Sequence, residues 1–168
     1  MMFVVDMSYV LSARGDGDHG GRMGEPELSG FSHLADGEAK SPSILVIDDD
    51  VQLRAFLCEV LDQEGYQVYQ AENGTIGSEM FDAHTPDLVL TDIVMPEKEG
   101  MELIMELRHA NPALPIIAMS GGNAGFSGSY LAAAGKLGAN ATLAKPFTAS
   151  HLLAAIEELL KPSFATGR

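Results

Sequence analysis

The chain has 168 residues, 46% hydrophobic and 20% charged, enough for one well-buried domain and short for two. Its formal net charge of -14 argues against a direct grip on nucleic acid or on an anionic membrane, because both need basic patches. The single cysteine, Cys58, excludes an internal disulfide and fits a reducing compartment.

The chain opens on MMFVVDMSYVL, which is mildly apolar. It lacks a basic flank and carries Asp6, so no signal peptide is expected. No apolar run approaches the length of a membrane span, and a cytoplasmic home follows by default. Residues 12 to 43 are rich in Gly, Ser and acids and show no sustained apolar period. Residues 1–42 are therefore expected to form a flexible extension, and His19 with its neighbouring acids reads as a solvated tail, not a metal site.

From Ile44 the texture changes. ILVID, from Ile44 to Asp48, is an apolar strand run. VQLRAFLCEVLDQEG places Leu53, Leu57, Val60 and Leu61 on one helical face, with Gly65 as the stop. YQVYQA is a short strand and NGTIGSEMFDAH a less apolar helix. PDLVLTD is a second apolar strand, followed by the helix GMELIMELRHA and the break at Asn111-Pro112. PIIAMS is a third apolar strand, GSYLAAAGKLG a helix, ATLA a short strand and TASHLLAAIEELLK a strong closing helix.

Strands alternating with helices, several reading as continuous apolar runs, imply a parallel sheet covered on both faces. Ligands of such sheets sit at the carboxyl ends of the strands. Three of those ends are polar: Asp48-Asp49, Asp92 and Ser120, and Lys145 lies just past a fourth. Singly, such residues are ordinary turn residues or helix caps. Together they are a convergent set. Clustered carboxylates favour a hard divalent cation such as Mg²⁺. A lysine suits phosphate, a serine hydroxyl can donate to a phosphoryl oxygen, and an aspartate can be the nucleophile. The residues suggest Mg²⁺-dependent phosphoryl transfer onto a carboxylate.

The stretches ILVIDDDVQLR, PDLVLTDIVMP, PIIAMSGG and TLAKPF, in this order, resemble the receiver domain of two-component response regulators. The resemblance covers roughly residues 43 to 161. It implies an α/β, flavodoxin-like, doubly wound five-stranded parallel sheet of order 2-1-3-4-5, with helices on both faces. The receiver domain would span 43–162, with a short tail at 163–168. By the same resemblance Asp92 is the phosphoacceptor, and Asp48 and Asp49 are the acidic pair that binds Mg²⁺, Asp49 the more directly. Asp92 and the carbonyl of Val94 complete the protein's metal ligands. Ser120 matches the switch hydroxyl, Lys145 the lysine that pairs with the phosphoryl group, and Gly121 the small residue that leaves room for phosphate. Asp50 falls outside the acidic pair and either faces solvent or caps the first helix. Lys145-Pro146 is expected to be cis.

Three departures from the family stand out. Thr142 occupies the place where the family has an inward-turning Tyr or Phe. The interval from Ser120 to Lys145 is longer by about three residues. Phe126 or Tyr130 is a candidate substitute for the missing aromatic, and Tyr130 simply packing is the plainer account. Third, only PSFATGR follows the last helix, so no output domain is expected.

The resulting expectation is a stand-alone response regulator, not an enzyme beyond its own aspartyl phosphorylation and dephosphorylation. It would take a phosphoryl group from a histidine kinase or a histidine phosphotransfer protein and signal by binding other proteins, without contacting nucleic acid or membrane. Leu53, Arg54 and Leu57, with the loop Pro146-Phe147-Thr148, resemble the family's kinase-docking surface; Arg54 otherwise reads as an exposed helical residue. Phosphorylation would reorder residues 121 to 130. The alternative is a pseudo-receiver that binds partners without phosphorylation. A haloacid-dehalogenase-type phosphatase also uses an Asp nucleophile, but that family expects Thr or Val where Gln52 stands.

Overall fold

A computed structural model describes residues 41–95, 100–121 and 127–161. Apart from Ser41 and Pro42, the expected extension lies outside the described residues, as does the tail at 163–168. Strands β1 (Ser43–Ile47), β2 (Gln67–Ala71), β3 (Leu88–Asp92), β4 (Ile116–Ser120) and β5 (Ala141–Ala144) alternate with helices α1 (Val51–Gln63), α2 (Gly74–His84), α3 (Gly100–Ala110), α4 (Ser127–Leu137) and α5 (Ala149–Leu160). All pairings are parallel, and the strand order is β2-β1-β3-β4-β5.

The continuous apolar runs have a direct cause. Successive side chains of a strand point to opposite faces, so a strand covered on both sides needs apolar residues at every position. Leu45 and Ile47 enter one core with Phe81 of α2, Leu103, Ile104 and Leu107 of α3 and Ala134 of α4. Ile44 and Val46 enter the other with Leu57 and Leu61 of α1 and Leu152 and Ile156 of α5. Every residue of β1, β3 and β4 is buried, whereas the edge strands β2 and β5 are partly exposed.

Local chemistry sets the helix ends. The Asp50 carboxylate accepts from the backbone N–H groups of Gln52 (2.9 Å) and Leu53 (3.1 Å). This decides between the two readings of Asp50 in favour of the cap. Asn73 and Thr148 cap α2 and α5 in the same way. Gly65, with φ 85°, follows the C-cap of α1, where the left-handed region favours glycine. The Lys145-Pro146 bond is cis.

Candidate functional site

The β-ladder continues past the strands at one edge. Asp48 N–H donates to Ala71 O (3.2 Å), Ile93 N–H to Met119 O (2.9 Å) and Lys145 N–H to Ser120 O (2.8 Å). These bonds hold Asp48, Asp92, Ser120 and Lys145 in adjacent rows at the carboxyl edge, where the sheet's order reverses direction.

Asp48 is fully buried and Asp92 is 6% exposed, while Asp49 is open to solvent. Carboxylate oxygens of Asp48, Asp49 and Asp92 lie within 4.8 Å of one another. Lys145 Nζ donates to Asp48 Oδ2 and to Asp92 Oδ2, both at 2.8 Å. The remaining oxygens have backbone partners. Asp50 N–H donates to Asp48 Oδ1 (2.9 Å), and the N–H groups of Ile93 (2.7 Å) and Val94 (3.4 Å) approach Asp92 Oδ1. Val94 itself is 52% exposed.

Lys145 is the ammonium that meets these carboxylates. Burial pushes the Asp48 carboxyl above the usual carboxylate value, outweighing its hydrogen bond from Lys145. Burial alone would lower the Lys145 ammonium, but its hydrogen bonds to Asp48 and Asp92 outweigh that and raise it. Three clustered carboxylates exceed the charge of the one ammonium, an imbalance that a hard divalent cation on this oxygen donor set would relieve.

Ser120 Oγ is buried and has no hydrogen-bond partner among the described residues. Such a group costs about 1–3 kcal/mol, so its position at this edge fits a hydroxyl reserved for an incoming oxygen. At Gly121 a Cβ would sit 3.2 Å from Lys145 Cβ and Cδ. A side chain there would crowd the lysine, which agrees with the small residue expected at this place.

Two contributors were not visible in the linear pattern. The Arg54 guanidinium donates to the backbone carbonyl of Asp48, so Arg54 is half-buried and tied to the acidic turn. This corrects its reading as a merely exposed helical residue. Gly100, at the start of α3, lies directly on the backbone of Asp92. Its only signal in the sequence is a glycine opening an amphipathic helix. Leu57 is fully buried in the α1–α5 core and presents nothing to a partner, so its place in a docking surface is corrected. The helical period puts Leu57 on the core face, and a core residue has no free side for a kinase. Thr142 is exposed on β5, and Tyr130 is 39% exposed on α4. Phe126 and residues 122–125 lie outside the described residues.

Acids, lysine and hydroxyl gathered on the carboxyl edge of a sheet of this order define a receiver-type domain. The chain belongs to the response regulator receiver domain family, which matches over residues 44–157. It is 35% identical over 118 residues to the chemotaxis protein CheY of Bacillus subtilis, covering 70% of this chain and 96% of that one. It is 36% identical over 121 residues to the response regulator MprA of Mycobacterium ulcerans, covering 72% of this chain and 51% of the relative. The chain thus spans about half the length of several curated relatives. Among solved structures, a response regulator receiver domain protein from Clostridium thermocellum superposes with a TM-score of 0.66 at 32% identity, over 70% of this chain and 93% of the other. Among the described residues no helix is long and apolar enough to cross a membrane.

Proposed function

We propose that this receiver domain accepts a phosphoryl group on Asp92 in a Mg²⁺-dependent reaction and signals through protein–protein contacts. The observation that carries this reading is the setting of Asp92. It is a nearly buried strand-end carboxylate, paired with Lys145 and clustered with two further acids. Its Oδ1 is approached by two backbone N–H groups, while Oδ2 faces Lys145. Oδ2 is thus the oxygen placed to attack. A P–O bond forms at Asp92 as the P–N bond of a donor phosphohistidine breaks, and the imidazole leaves with a proton from water. Lys145 Nζ then follows the charge from the carboxylate to the phosphoryl oxygens, and the unpaired Ser120 hydroxyl donates to one of them.

Asp48, Asp49, Asp92 and the Val94 carbonyl would hold Mg²⁺, whose charge offsets that of the phosphoryl oxygens. The donor is a histidine kinase or a histidine phosphotransfer protein, in line with the family. In this reading the domain acts as a relay, a phosphate sink or a diffusible output, and its own chemistry is its phosphorylation and dephosphorylation.

Incubation with Mg²⁺ and phosphoramidate, followed by intact mass, tests the reading. One phosphoryl group should appear on the wild type and none on Asp92→Asn, which should keep the fold because the change is nearly isosteric. Chelation of Mg²⁺ should suppress the wild-type reaction. Phosphorylation of the Asn variant would move the acceptor elsewhere. An unmodified wild type would favour the pseudo-receiver, which binds partners without phosphorylation.

A further inference from the structure

We propose that Gly100 and Thr91 are positioning residues for Asp92, acting through its main-chain carbonyl. This rests on the reading of Asp92 as phosphoacceptor. A Cβ placed on Gly100 would lie 1.9 Å from Asp92 O, 2.8 Å from Ile93 Cα and 2.9 Å from Asp92 C. The obstacle is backbone on all three counts. At Gly77, by contrast, the nearest atom to a Cβ is Ile47 Cδ1 at 2.7 Å, the end of a side chain that can rotate away. At Gly100 nothing can rotate away, so α3 or the Asp92 peptide has to move. The Gly100 N–H also donates to Ile93 O (2.9 Å), which fixes the helix start against this segment. From the other side, the fully buried Thr91 hydroxyl donates to the same Asp92 O at 2.9 Å.

The carbonyl matters because of what shares its plane. Asp92 C=O and Ile93 N–H belong to one planar peptide unit. That N–H is shared between Asp92 Oδ1 at 2.7 Å and Met119 O of β4 at 2.9 Å. Tilting the carbonyl therefore tilts the donor, releases Oδ1 and turns Oδ2 away from Lys145 Nζ. A misplacement of about 1 Å can cost a reaction on the order of a hundred-fold. The contact of a helix with a carbonyl thus sets the aim of a carboxylate.

The test compares the full-length wild type with Gly100→Ala, Thr91→Val and Thr91→Ser. Acyl-phosphate formation from phosphoramidate is followed at saturating Mg²⁺, below each variant's melting temperature. The amide NMR resonance of Ile93 in Mg²⁺-free protein reports the setting of this shared N–H between Oδ1 and Met119 O independently of activity. Gly100→Ala should slow phosphorylation on the order of a hundred-fold, and Thr91→Val roughly ten-fold. Thr91→Ser, which keeps the hydroxyl, should return the rate to near wild type. The Ile93 resonance should shift in the two slow variants and return in the serine variant. Wild-type rates in folded Gly100→Ala and Thr91→Val, with only the melting temperature lowered, would overturn the proposal in favour of plain packing. If Gly100→Ala does not fold, the Thr91 pair decides by itself: an unchanged rate and resonance in Thr91→Val sinks the idea. A wild type that takes no phosphoryl group, with Ile93 still shifted in the variants, would instead overturn the phosphoacceptor reading and leave the coupling standing.

Discussion

Lys145 is the one cation ion-paired with the carboxylates of the site among the described residues. Removing it leaves Asp48 buried beside Asp92 with no neutralising partner. Breaking a buried pair in this way costs about 3–5 kcal/mol, so Lys145→Met should lower the melting temperature sharply without Mg²⁺. Mg²⁺ should then stabilise the variant more than the wild type, because the metal takes over the role of the ammonium. A smaller Mg²⁺-induced rise in the variant would contradict this. The pH dependence has a definite sign. The folded Lys145 value is raised above the ordinary 10.5. Its contribution is therefore complete below 10.5 and is lost as pH rises through the raised value. The stability gap between wild type and Lys145→Met should be flat from the alkaline side of neutrality up to 10.5, close as pH rises through the raised Lys145 value, and close again in acid as Asp48 and Asp92 take up protons, in chemical denaturation series. Asp50 shows how local position separates neighbours. It follows two site acids directly, yet its carboxylate is committed to the first turn of α1.

At the scale of elements, α1 carries two kinds of information. Its apolar face, with Leu57 and Leu61 fully buried, is core. Its first turn is tied to the site from both ends, through the Asp50 cap and through the Arg54 bond to the Asp48 carbonyl. Asp50→Ala should cost about 1 kcal/mol of stability and lower the urea midpoint with an unchanged slope. It should leave phosphorylation per folded molecule near wild type, since Asp50 lies outside the metal cluster. An unchanged midpoint would mean that the cap contributes nothing. Helix α4 is held differently. Ala134 is its only fully buried residue among those described, and Tyr130 lies on its surface. Leu131 and Leu137 pack partly buried beside Ala134, and the preceding strand, β4, ends in the unpaired Ser120 hydroxyl.

At the scale of the molecule, the end of the sheet opposite the site is held by Arg108. Its Nη1 donates to Pro112 O (2.7 Å), and its Nη2 to Gly138 O (2.6 Å) and Asn140 Oδ1 (2.9 Å). The same Asn140 oxygen accepts from Ile116 N–H (2.9 Å) at the start of β4. One guanidinium thereby joins the end of α3, the loop before β4 and the turn between α4 and β5. Arg108→Ala should cost about 2 kcal/mol, the scale of hydrogen bonds to a charged group. The loss should appear in thermal and urea melts, with little change in the phosphorylation rate, because the cluster at the other edge is untouched. A large loss of rate at unchanged stability would show that the two ends are coupled.

How much of this was readable beforehand follows from the range of each interaction. Strand runs and helix faces depend on neighbours a few residues away, and the linear pattern carries them, whereas the cap at Asp50 was left open between two readings and those at Asn73 and Thr148 came from the structure. The convergence of Asp48, Asp92, Ser120 and Lys145 was also legible, because a doubly wound parallel sheet collects its strand ends at one edge. By itself, then, the sequence determined the elements, the layered fold class and the candidate residues. Only the tertiary structure decided that Leu57 is core, that Arg54 reaches the Asp48 carbonyl, that Arg108 joins segments 30 residues apart and that Gly100 lies on the backbone of Asp92. Those contacts are made through backbone atoms or across different elements. A backbone carbonyl is the same at every position of a chain, so nothing in the one-dimensional pattern marks which carbonyl a distant arginine or glycine will meet.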